Sequence, residues 1–137
     1  MKKKLETAYG VIGLGRFGAA LAMMLAQSGN EVIAVDRDEK KVKEMRQYTD
    51  CAFVTDDLSS DTLKEIGIQN CDVVIICIGE KVDVSVLTTM SVIELGVPRV
   101  IAKALSPEQG AVLGKLGAEV VYPERDMALR LGKKAIV

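Results

Sequence analysis

The residues best suited to chemistry lie in the stretch GLGRFG at positions 13–18, between an apolar run and a helical pattern. Gly13, Gly15 and Gly18 match the spacing G-x-G-x-x-G, which is most specific where it follows a strand and opens a helix. There the first glycine permits a tight turn, the second lets a pyrophosphate approach the backbone, and the third lets the helix pack close to the sheet. The helix N-terminus would offer N–H groups and a positive dipole end to the phosphates. The alternative is a tight strand–helix turn without a ligand.

A second candidate is Asp36, which ends the apolar run VIAVD and lies 18 residues after Gly18. A carboxylate at about this distance binds the ribose hydroxyls in dinucleotide-binding folds. It repels a 2′-phosphate and so favours NAD or an adenosine nucleotide over NADP, although the neighbouring Arg37 could accommodate a 2′-phosphate. The alternative role for Asp36 is to cap the next helix, a role that Asp38 fills better.

Arg16 stands inside the glycine-rich stretch, where a guanidinium can reach phosphate oxygens with two hydrogen bonds. A cation at a helix N-terminus is disfavoured by the dipole, and a bound phosphate would offset that cost. The alternative is an arginine that is simply solvated in the first helical turn.

Short β-branched runs and helical patterns alternate along the chain and must position these residues. We predict strands at about 8–13, 31–36, 51–55, 72–78, 99–103 and 118–122, with helices at about 16–28, 38–47, 59–66, 82–95, 107–115 and from 124. Such alternation predicts parallel strands joined by right-handed helical crossovers. Because runs such as DVVIICIG are apolar throughout, helices should cover both faces of the sheet. The expected fold is a single Rossmann-like, doubly wound α/β domain with six parallel strands in the order 3-2-1-4-5-6.

Local signals at the ends of the predicted helices support this division. Four glycines stand where a helix should stop before a strand: Gly29, Gly67, Gly96 and Gly117. In the stretch SPEQ, Ser106 is the predicted N-cap, Pro107 takes the first helical position, and Gln109 is the expected capping-box partner.

Further polar residues follow the predicted strands, at the sheet edge where ligands bind in this class of fold. Asp56 and Asp57 follow the third strand, Gly79 follows the fourth, and Lys103 ends the fifth. The alternative for the two aspartates is that they are loop acids before a serine-capped helix. Glu124 lies in the first turn of the last helix, where an acid is stabilising without any further role.

Composition excludes several classes of function. The 137 residues carry a net charge of −1 and 4% aromatic residues, so nucleic acid is not an expected partner. The longest run of aliphatic or cysteine residues, 73–78, is too short to span a membrane, and no apolar segment typical of a signal peptide precedes the first strand. Three cysteines without CxxC spacing indicate reduced thiols in a cytosolic protein.

The residues that a catalyst would need are missing from the sequence. The chain has no histidine, no Tyr-x-x-x-Lys pair, no metal-ligand cluster of standard spacing and no GxxxxGK[ST] loop. A domain that binds a nucleotide without transforming it is most simply a sensor, whose output is a change of shape or assembly.

The segments VIGLGRFG, VDRDEKKV, DVVIICIGE, LTTMSVIELGVPRVIAKA and LGAEVVYPERDMALRL together resemble the nucleotide-binding domain of RCK (KTN, TrkA-N) proteins. Within that family the similarity is to the cytosolic regulatory subunit of Ktr-type potassium uptake systems. The resemblance covers nearly the whole chain. It implies that residues 1–137 form the N-terminal RCK domain and that the C-terminal RCK domain is absent from this chain.

The resemblance also implies a function and partners. Members of the family dimerise, assemble into an octameric ring, and dock on a membrane potassium-translocating subunit at the inner face of the membrane. They bind ATP or ADP, and NAD or NADH, and the choice of nucleotide changes the ring shape and the ion flux. This chain would accordingly be a cytoplasmic regulator and not an enzyme.

The resemblance carries the family's nucleotide contacts over to 17 positions of this sequence. These are Gly13, Gly15, Arg16, Phe17, Gly18, Asp36, Arg37, Asp38, Asp56, Asp57, Ile78, Gly79, Glu80, Lys103, Ala104, Leu105 and Glu124. By this resemblance Arg16 reaches the γ-phosphate, including that of the neighbouring subunit's ligand. Glu124 joins the coordination of a cation, such as Mg²⁺, Ca²⁺ or Na⁺, between subunits beside ATP.

Two segments depart from the family pattern. TDDL stands where the family often has a Gly-Asp-Ala-Thr-like run, so that Asp57 replaces a small residue beside the adenine. KALSPEQG replaces a more polar segment.

Two alternatives to a regulatory role in potassium transport remain open. The chain could be the cofactor half of a truncated NAD-dependent dehydrogenase, or a redox-sensing Rossmann domain with another output.

Overall fold

The computed structural model describes residues 7–136, in which strands and helices alternate. The strands are β1 (Ala8–Ile12), β2 (Glu31–Asp36), β3 (Ala52–Val54), β4 (Val73–Ile76), β5 (Arg99–Lys103) and β6 (Glu119–Val121). The helices are α1 (Arg16–Gln27), α2 (Glu39–Met45), α3 (Ser60–Ile66), α4 (Val82–Glu94), α5 (Pro107–Lys115) and α6 (Pro123–Ala135). Each predicted element is therefore present.

All pairings between neighbouring strands are parallel, and the strand order is β3-β2-β1-β4-β5-β6, as predicted. The chain builds outward from β1 to β3 and then crosses to the other side of β1 to begin β4. This reversal opens a crevice at the carboxyl ends of β1 and β4, the place where ligands bind in doubly wound folds. We call this space the crevice throughout.

Two apolar clusters lie on opposite faces of the sheet. Ile12 and Val74 belong to one cluster. The residues next to them in the chain, Val11 and Ile75, belong to the other. Since consecutive strand residues point to opposite faces, a strand buried on both sides must be apolar throughout. The four residues of β4 are all buried, which confirms that helices cover the sheet on both faces.

The predicted glycine stops at the helix ends are also confirmed. The four glycines that were predicted to end helices have φ between 83° and 104°: Gly96, Gly29, Gly67 and Gly117. The predicted strands were up to three residues too long, and the sequence analysis missed a short 3₁₀ turn at Ile68–Asn70. Ile68 is fully buried there, so this turn adds an apolar side chain to the core just before β4.

The last helix differs from the others in its packing. Every residue of α6 lies in the described part of the chain, and none of them is buried. Met127, Leu129 and Leu131 are each exposed by 58% or more. Among residues 7–136, no helix combines the length and the apolar content needed to cross a lipid bilayer.

Candidate functional site

The glycine turn, residues 13–18, connects β1 to α1 at the crevice. Gly13 has φ of 101°, and its N–H donates a 2.8 Å hydrogen bond to the carbonyl of Val35 in β2. A Cβ at this position would lie 2.8 Å from the carbonyl oxygen of Cys77, so a side chain is excluded twice, by conformation and by space. A Cβ at Gly18 would overlap the carbonyl oxygen of Gly13. The turn is therefore packed directly against α1 and the end of β4.

Gly15 has a different environment from the other two glycines. A Cβ built there would meet no atom within 4 Å, and the backbone has an ordinary φ of −69°. Packing within the chain therefore does not require a glycine at this position. The open side of the turn is the side from which a phosphate would approach the backbone, as the motif predicts.

The N-terminus of α1 lacks the usual capping groups. No side chain caps it, and its first turn, which lies wholly in the described chain, contains no acidic residue. Arg16 is exposed and makes no salt bridge with the residues that the structure describes. The N–H groups and the positive dipole end are thus left for an anion, and Arg16 lies beside them.

Asp36 joins the end of β2 to the glycine turn. Its Oδ2 accepts a 2.7 Å hydrogen bond from the N–H of Leu14, and its Oδ1 accepts one of 2.8 Å from the N–H of Asp38. Each carboxylate oxygen has a further lone pair available for a ribose hydroxyl. Asp36 does not cap α2, because Asp38 does so by accepting hydrogen bonds from the N–H groups of Lys40 and Lys41.

The two acids after β3 differ from each other. The carboxylate of Asp57 accepts hydrogen bonds from the hydroxyl of Thr62 and from the N–H of Ser59, which is the N-cap of α3. These hydrogen bonds, led by that from Thr62, hold the pKa of Asp57 below its usual value. Asp57 therefore stabilises the start of α3, in agreement with the structural alternative for this residue. Asp56 and Arg37 are exposed.

Side chains from β5 reach across the end of β4. The ammonium of Lys103 lies 5.8 Å from the centre of the Phe17 ring in α1, close enough for a cation–π interaction. A Cβ at Gly79 would lie 3.2 Å from the Lys103 Nζ and 3.5 Å from the Leu105 Cδ1. The structure thus brings together the glycine turn and the segments that follow β4 and β5, as predicted. Ile78 and Glu80 flank Gly79 in the same segment, and Ala104 is buried between Lys103 and Leu105.

Glu124 lies further along the same edge of the sheet. It is exposed in the first turn of α6 and lines a cavity of about 90 Å³ together with Leu105, Tyr122 and Arg125. Within residues 7–136, no group of three or more histidine, cysteine or acidic side chains is arranged to hold a metal ion. A cation at Glu124 would therefore need ligands from a nucleotide or from a second subunit.

A larger cavity of about 330 Å³ lies outside the crevice, between α1 and α2. Its lining includes Ala20, Met23, Lys41 and Tyr48, and it contains none of the predicted site residues. The crevice is defined by the residues that border it, the glycine turn and the carboxyl ends of β1 and β4, and not by a cavity volume.

Sequence reasoning missed the role of one buried residue at the site. Gln109 was predicted as a capping-box partner, and its N–H does donate to the Oγ of Ser106, at 3.1 Å. Its side chain, however, does not bond the N–H of Ser106. The Gln109 Oε1 accepts from the N–H of Leu105 at 2.9 Å, and the Nε2 donates to the Oγ of Ser85 at 3.3 Å. No signal in the sequence connects Gln109 with Ser85, which lies in another helix.

The two buried cysteines are poor nucleophiles, and only Cys77 lies near the site. Cys77 lies beneath the glycine turn, and burial raises the pKa of its thiol to about 12. Burial likewise raises the pKa of Cys71, to about 11. Cys51 is exposed at the start of the segment leading to β3. The two buried thiols are protonated at neutral pH and cannot act as thiolates.

The chain is similar to curated proteins of bacterial potassium uptake. It is 42% identical over 133 residues to the Ktr system potassium uptake protein C of Bacillus subtilis (strain 168) and 40% identical over 132 residues to the Ktr system potassium uptake protein A of Vibrio alginolyticus. Each alignment covers 96% of this chain and 60% of the relative. The chain therefore spans about three fifths of the length of these relatives.

Solved structures share the fold. The TrkA-N domain of the inner membrane protein ybaL from Escherichia coli superimposes with a TM-score of 0.82 at 19% identity, covering 98% of this chain and 100% of that one. GsuK bound to ADP has a TM-score of 0.74 at 27% identity, covering 92% of this chain and 33% of that one. The GsuK channel bound to NAD has a TM-score of 0.69 at 24% identity, with coverage of 89% and 22%.

A family model matches most of the described chain. Residues 9–123, which include all six strands but Ala8, match the TrkA-N domain. The chain belongs to the TrkA-N domain family.

Proposed function

We propose that this chain is a nucleotide-sensing regulatory domain of a potassium uptake system, and that it binds ATP or ADP, and NAD or NADH, in the crevice. The observation that carries the proposal is the hydrogen bond from the N–H of Leu14 to Asp36. This bond holds the carboxylate of Asp36 against the glycine turn, at the point where the strand order reverses, and so supports a joint role of the two in binding a sugar and its phosphates. The 42% identity to a Ktr potassium uptake protein supplies the transport context.

The crevice favours an adenine nucleotide without a 2′-phosphate. Asp36 carries a negative charge at the position of the ribose hydroxyls, and a 2′-phosphate would meet that charge directly. GsuK, which shares this fold, has been solved with ADP and with NAD. We therefore propose that the carboxylate of Asp36 binds the ribose and that the open side of Gly15 receives the phosphates.

The phosphates would meet two cations from opposite sides. Arg16 begins α1, and Lys103 reaches the same region from the end of β5. A triphosphate would extend past the glycine turn, where we propose that Arg16 contacts the γ-phosphate of its own ligand or that of a neighbouring subunit. Glu124 would contribute to a cation, such as Mg²⁺, Ca²⁺ or Na⁺, that the phosphates themselves help to coordinate.

We propose regulation and not catalysis for this domain. The sequence contains no histidine, and burial beneath the glycine turn raises the pKa of the Cys77 thiol to about 12. A hydride-transfer enzyme needs a general acid or base beside the reacting carbon. The chain instead offers groups that hold charge and sugar, which fits a domain that reports the presence of a ligand by a change of shape.

Such a domain acts through assembly with other chains. Apolar side chains remain exposed on three helices: Leu87, Met90, Val112, Met127, Leu129 and Leu131. Exposed apolar surface of this kind marks sites of association. We propose that the chain, as the N-terminal RCK domain 1–137, dimerises and enters an octameric ring. The ring would act in the cytoplasm, against a membrane potassium-translocating subunit at the inner face of the membrane.

Calorimetry with ATP, ADP, NADH and NADPH tests this proposal. We expect binding of the first three and little of NADPH, and the substitution Asp36→Asn should weaken ADP binding by about tenfold because a charged acceptor for the ribose is lost. Asp50→Asn is the matched control, an exposed acid before the amino end of β3 and outside the proposed contacts, whose removal should leave affinity nearly unchanged. A chain that prefers NADPH would favour the dehydrogenase alternative, and one that binds none of the four would refute the proposal.

A further inference from the structure

Four polar side chains are buried among the described residues: Ser85, Thr88, Thr89 and Gln109. Only Gln109, which is 3% exposed, carries a carboxamide. It lies in the first turn of α5 and faces the first turn of α4, where Ser85 is fully buried. The hydroxyl of Thr89 donates to the carbonyl of Ser85 within α4, whereas the Oγ of Ser85 accepts from the Nε2 of Gln109. Gln109 is therefore the residue through which α5 reaches a polar group of α4.

The carboxamide of Gln109 is used at both ends. Its oxygen accepts the N–H of Leu105, which belongs to the segment that follows β5, and its nitrogen donates to the Oγ of Ser85. One side chain thus joins the segment after β5 to the first turn of α4. A second glutamine shows the contrast, because the Oε1 of Gln69 is buried and finds no partner among the described residues.

Burial of an amide is costly unless both of its ends are hydrogen-bonded. A leucine of similar size would fill the space between α4 and α5 without that cost. A buried polar network whose hydrogen bonds are all formed fixes one arrangement, whereas apolar packing permits several. What the carboxamide adds over a leucine is therefore a fixed position of the Leu105 N–H relative to the Ser85 Oγ.

Both of the joined segments border the crevice. The side chains of Leu105 and Lys103 approach Gly79 at the end of β4, and the first turn of α4 follows Gly79 by a few residues. A shift of the segment after β5 relative to α4 would move Lys103 and Leu105 away from the position that faces the glycine turn. Gln109 is not one of the proposed contact residues; it is buried behind them and meets this surface only through the backbone N–H of Leu105.

We propose that Gln109 is a positioning residue of the nucleotide site. Through Leu105 and Ser85, its carboxamide fixes the segment after β5 to the first turn of α4, so that the crevice is already shaped before a nucleotide enters. This inference rests on the proposed function, because it assigns Gln109 to the same site. It predicts that Gln109 affects nucleotide affinity through the order of the loop and not through contact with the ligand.

The test compares Gln109→Leu with Gln69→Leu, which removes a half-buried glutamine just before the amino end of β4, away from the crevice. The measurements are ADP affinity by calorimetry and hydrogen exchange of the Leu105 amide by NMR in the ligand-free chain. Gln109→Leu should raise the Kd for ADP by about fivefold and accelerate exchange at Leu105 by a similar factor, as expected for one lost hydrogen bond of about 1 kcal/mol. Gln69→Leu should change neither quantity.

Two further variants separate the two hydrogen bonds. Gln109→Glu keeps an oxygen that can accept from the N–H of Leu105, so exchange at Leu105 should stay slow. Ser85→Ala removes only the link to α4, so it should weaken ADP binding while Leu105 stays protected. The double variant Ser85→Ala with Gln109→Leu should bind ADP no more weakly than Gln109→Leu alone, because both substitutions break the same connection. If Gln109→Leu does not fold, Gln109→Glu and Ser85→Ala still test the proposal.

Three results would overturn the proposal: unchanged ADP affinity in Gln109→Leu, weaker affinity without faster exchange at Leu105, or additive losses in the double variant. A wild-type chain that binds no nucleotide would refute the proposed function and the ligand part of this inference together. The exchange rate of Leu105 would then still decide whether Gln109 fixes the segment, since that measurement needs no ligand.

Discussion

The two sides of the crevice are built in different ways. The first side consists of the glycine turn and the ends of β1 and β2, and it is held in place by close backbone packing at Gly13 and Gly18. The second side consists of the segments after β4 and β5, and it is held by a buried side-chain amide between α4 and α5. On the first side, glycines without side chains let the backbone segments pack in direct contact. On the second side, the side chain of Gln109 joins two segments by hydrogen bonds.

This difference determines how each side should respond to substitution. A methyl group added on the first side meets backbone atoms, which cannot move without shifting β1 or β4. On the second side an added or removed group meets side chains, which can rotate and relieve part of the strain. Substitutions on the first side should therefore lower the free energy of unfolding, whereas substitutions on the second side should mainly shift the loops.

The largest effect is expected for Gly18→Ala. The added methyl would overlap the carbonyl oxygen of Gly13 in the backbone of the glycine turn. We expect the free energy of unfolding to fall by about 3 kcal/mol or more, measured by urea denaturation. The matched variant is Gly15→Ala, for which we expect a loss of about 1 kcal/mol at most because the new Cβ meets no atom within 4 Å. Equal losses in the two variants would contradict the packing described for the turn.

The variant Gly110→Ala should have a smaller effect on the second side. Its methyl would overlap the hydroxyl of Tyr122, which is the end of a side chain and can move. We expect a loss of about 1–2 kcal/mol in the free energy of unfolding, by the same urea measurement. Removing the hydroxyl with Tyr122→Phe in the same chain should recover part of the loss, so the double variant should lose less than the sum of the single ones. Strict additivity would show that Tyr122 does not restrict position 110.

The smallest effect concerns Asp57, at the start of α3. Hydrogen bonds from Thr62 and Ser59 lower its pKa in the folded chain, so ionised Asp57 stabilises the fold at pH values above its ordinary value of 3.8. That contribution is lost as the pH falls through the lowered pKa. Between about pH 5 and about pH 2, the wild-type chain should therefore lose slightly more stability than Asp57→Asn. Denaturation curves that shift in parallel for both chains would show that these hydrogen bonds do not favour the carboxylate.

The first side of the crevice could be predicted from the sequence because its signals are local. Gly13, Gly15 and Gly18 lie within six residues, and packing within the chain requires glycine at the first and third of these positions. Asp36 follows at a spacing that the strand–helix–strand unit sets. The alternation of strands and helices followed from hydrophobic runs and glycine stops, and the strand order from the doubly wound fold that the glycine motif indicates.

The second side could be predicted only in outline. Gln109 and Ser85 are 24 residues apart and lie in different helices, so only the packing of α4 against α5 brings them together. The stretch SPEQ predicted the N-cap at Ser106 correctly, but it could not show that the glutamine side chain turns inward to Leu105 and Ser85. The exposure of α6 likewise depends on what the rest of the fold leaves uncovered, which no local pattern contains.

Because Cys77 is buried under the glycine turn, the rate at which its thiol is modified reports motion of the turn. A thiol that is 4% exposed and protonated at neutral pH reacts with an alkylating reagent only when the turn lifts away from β4, whereas the exposed Cys51 reacts at once in the same chain. With the other buried thiol removed by Cys71→Ala, the delay between modification of Cys51 and of Cys77 would measure how often the turn lifts from the end of β4, beneath the place where phosphates are expected.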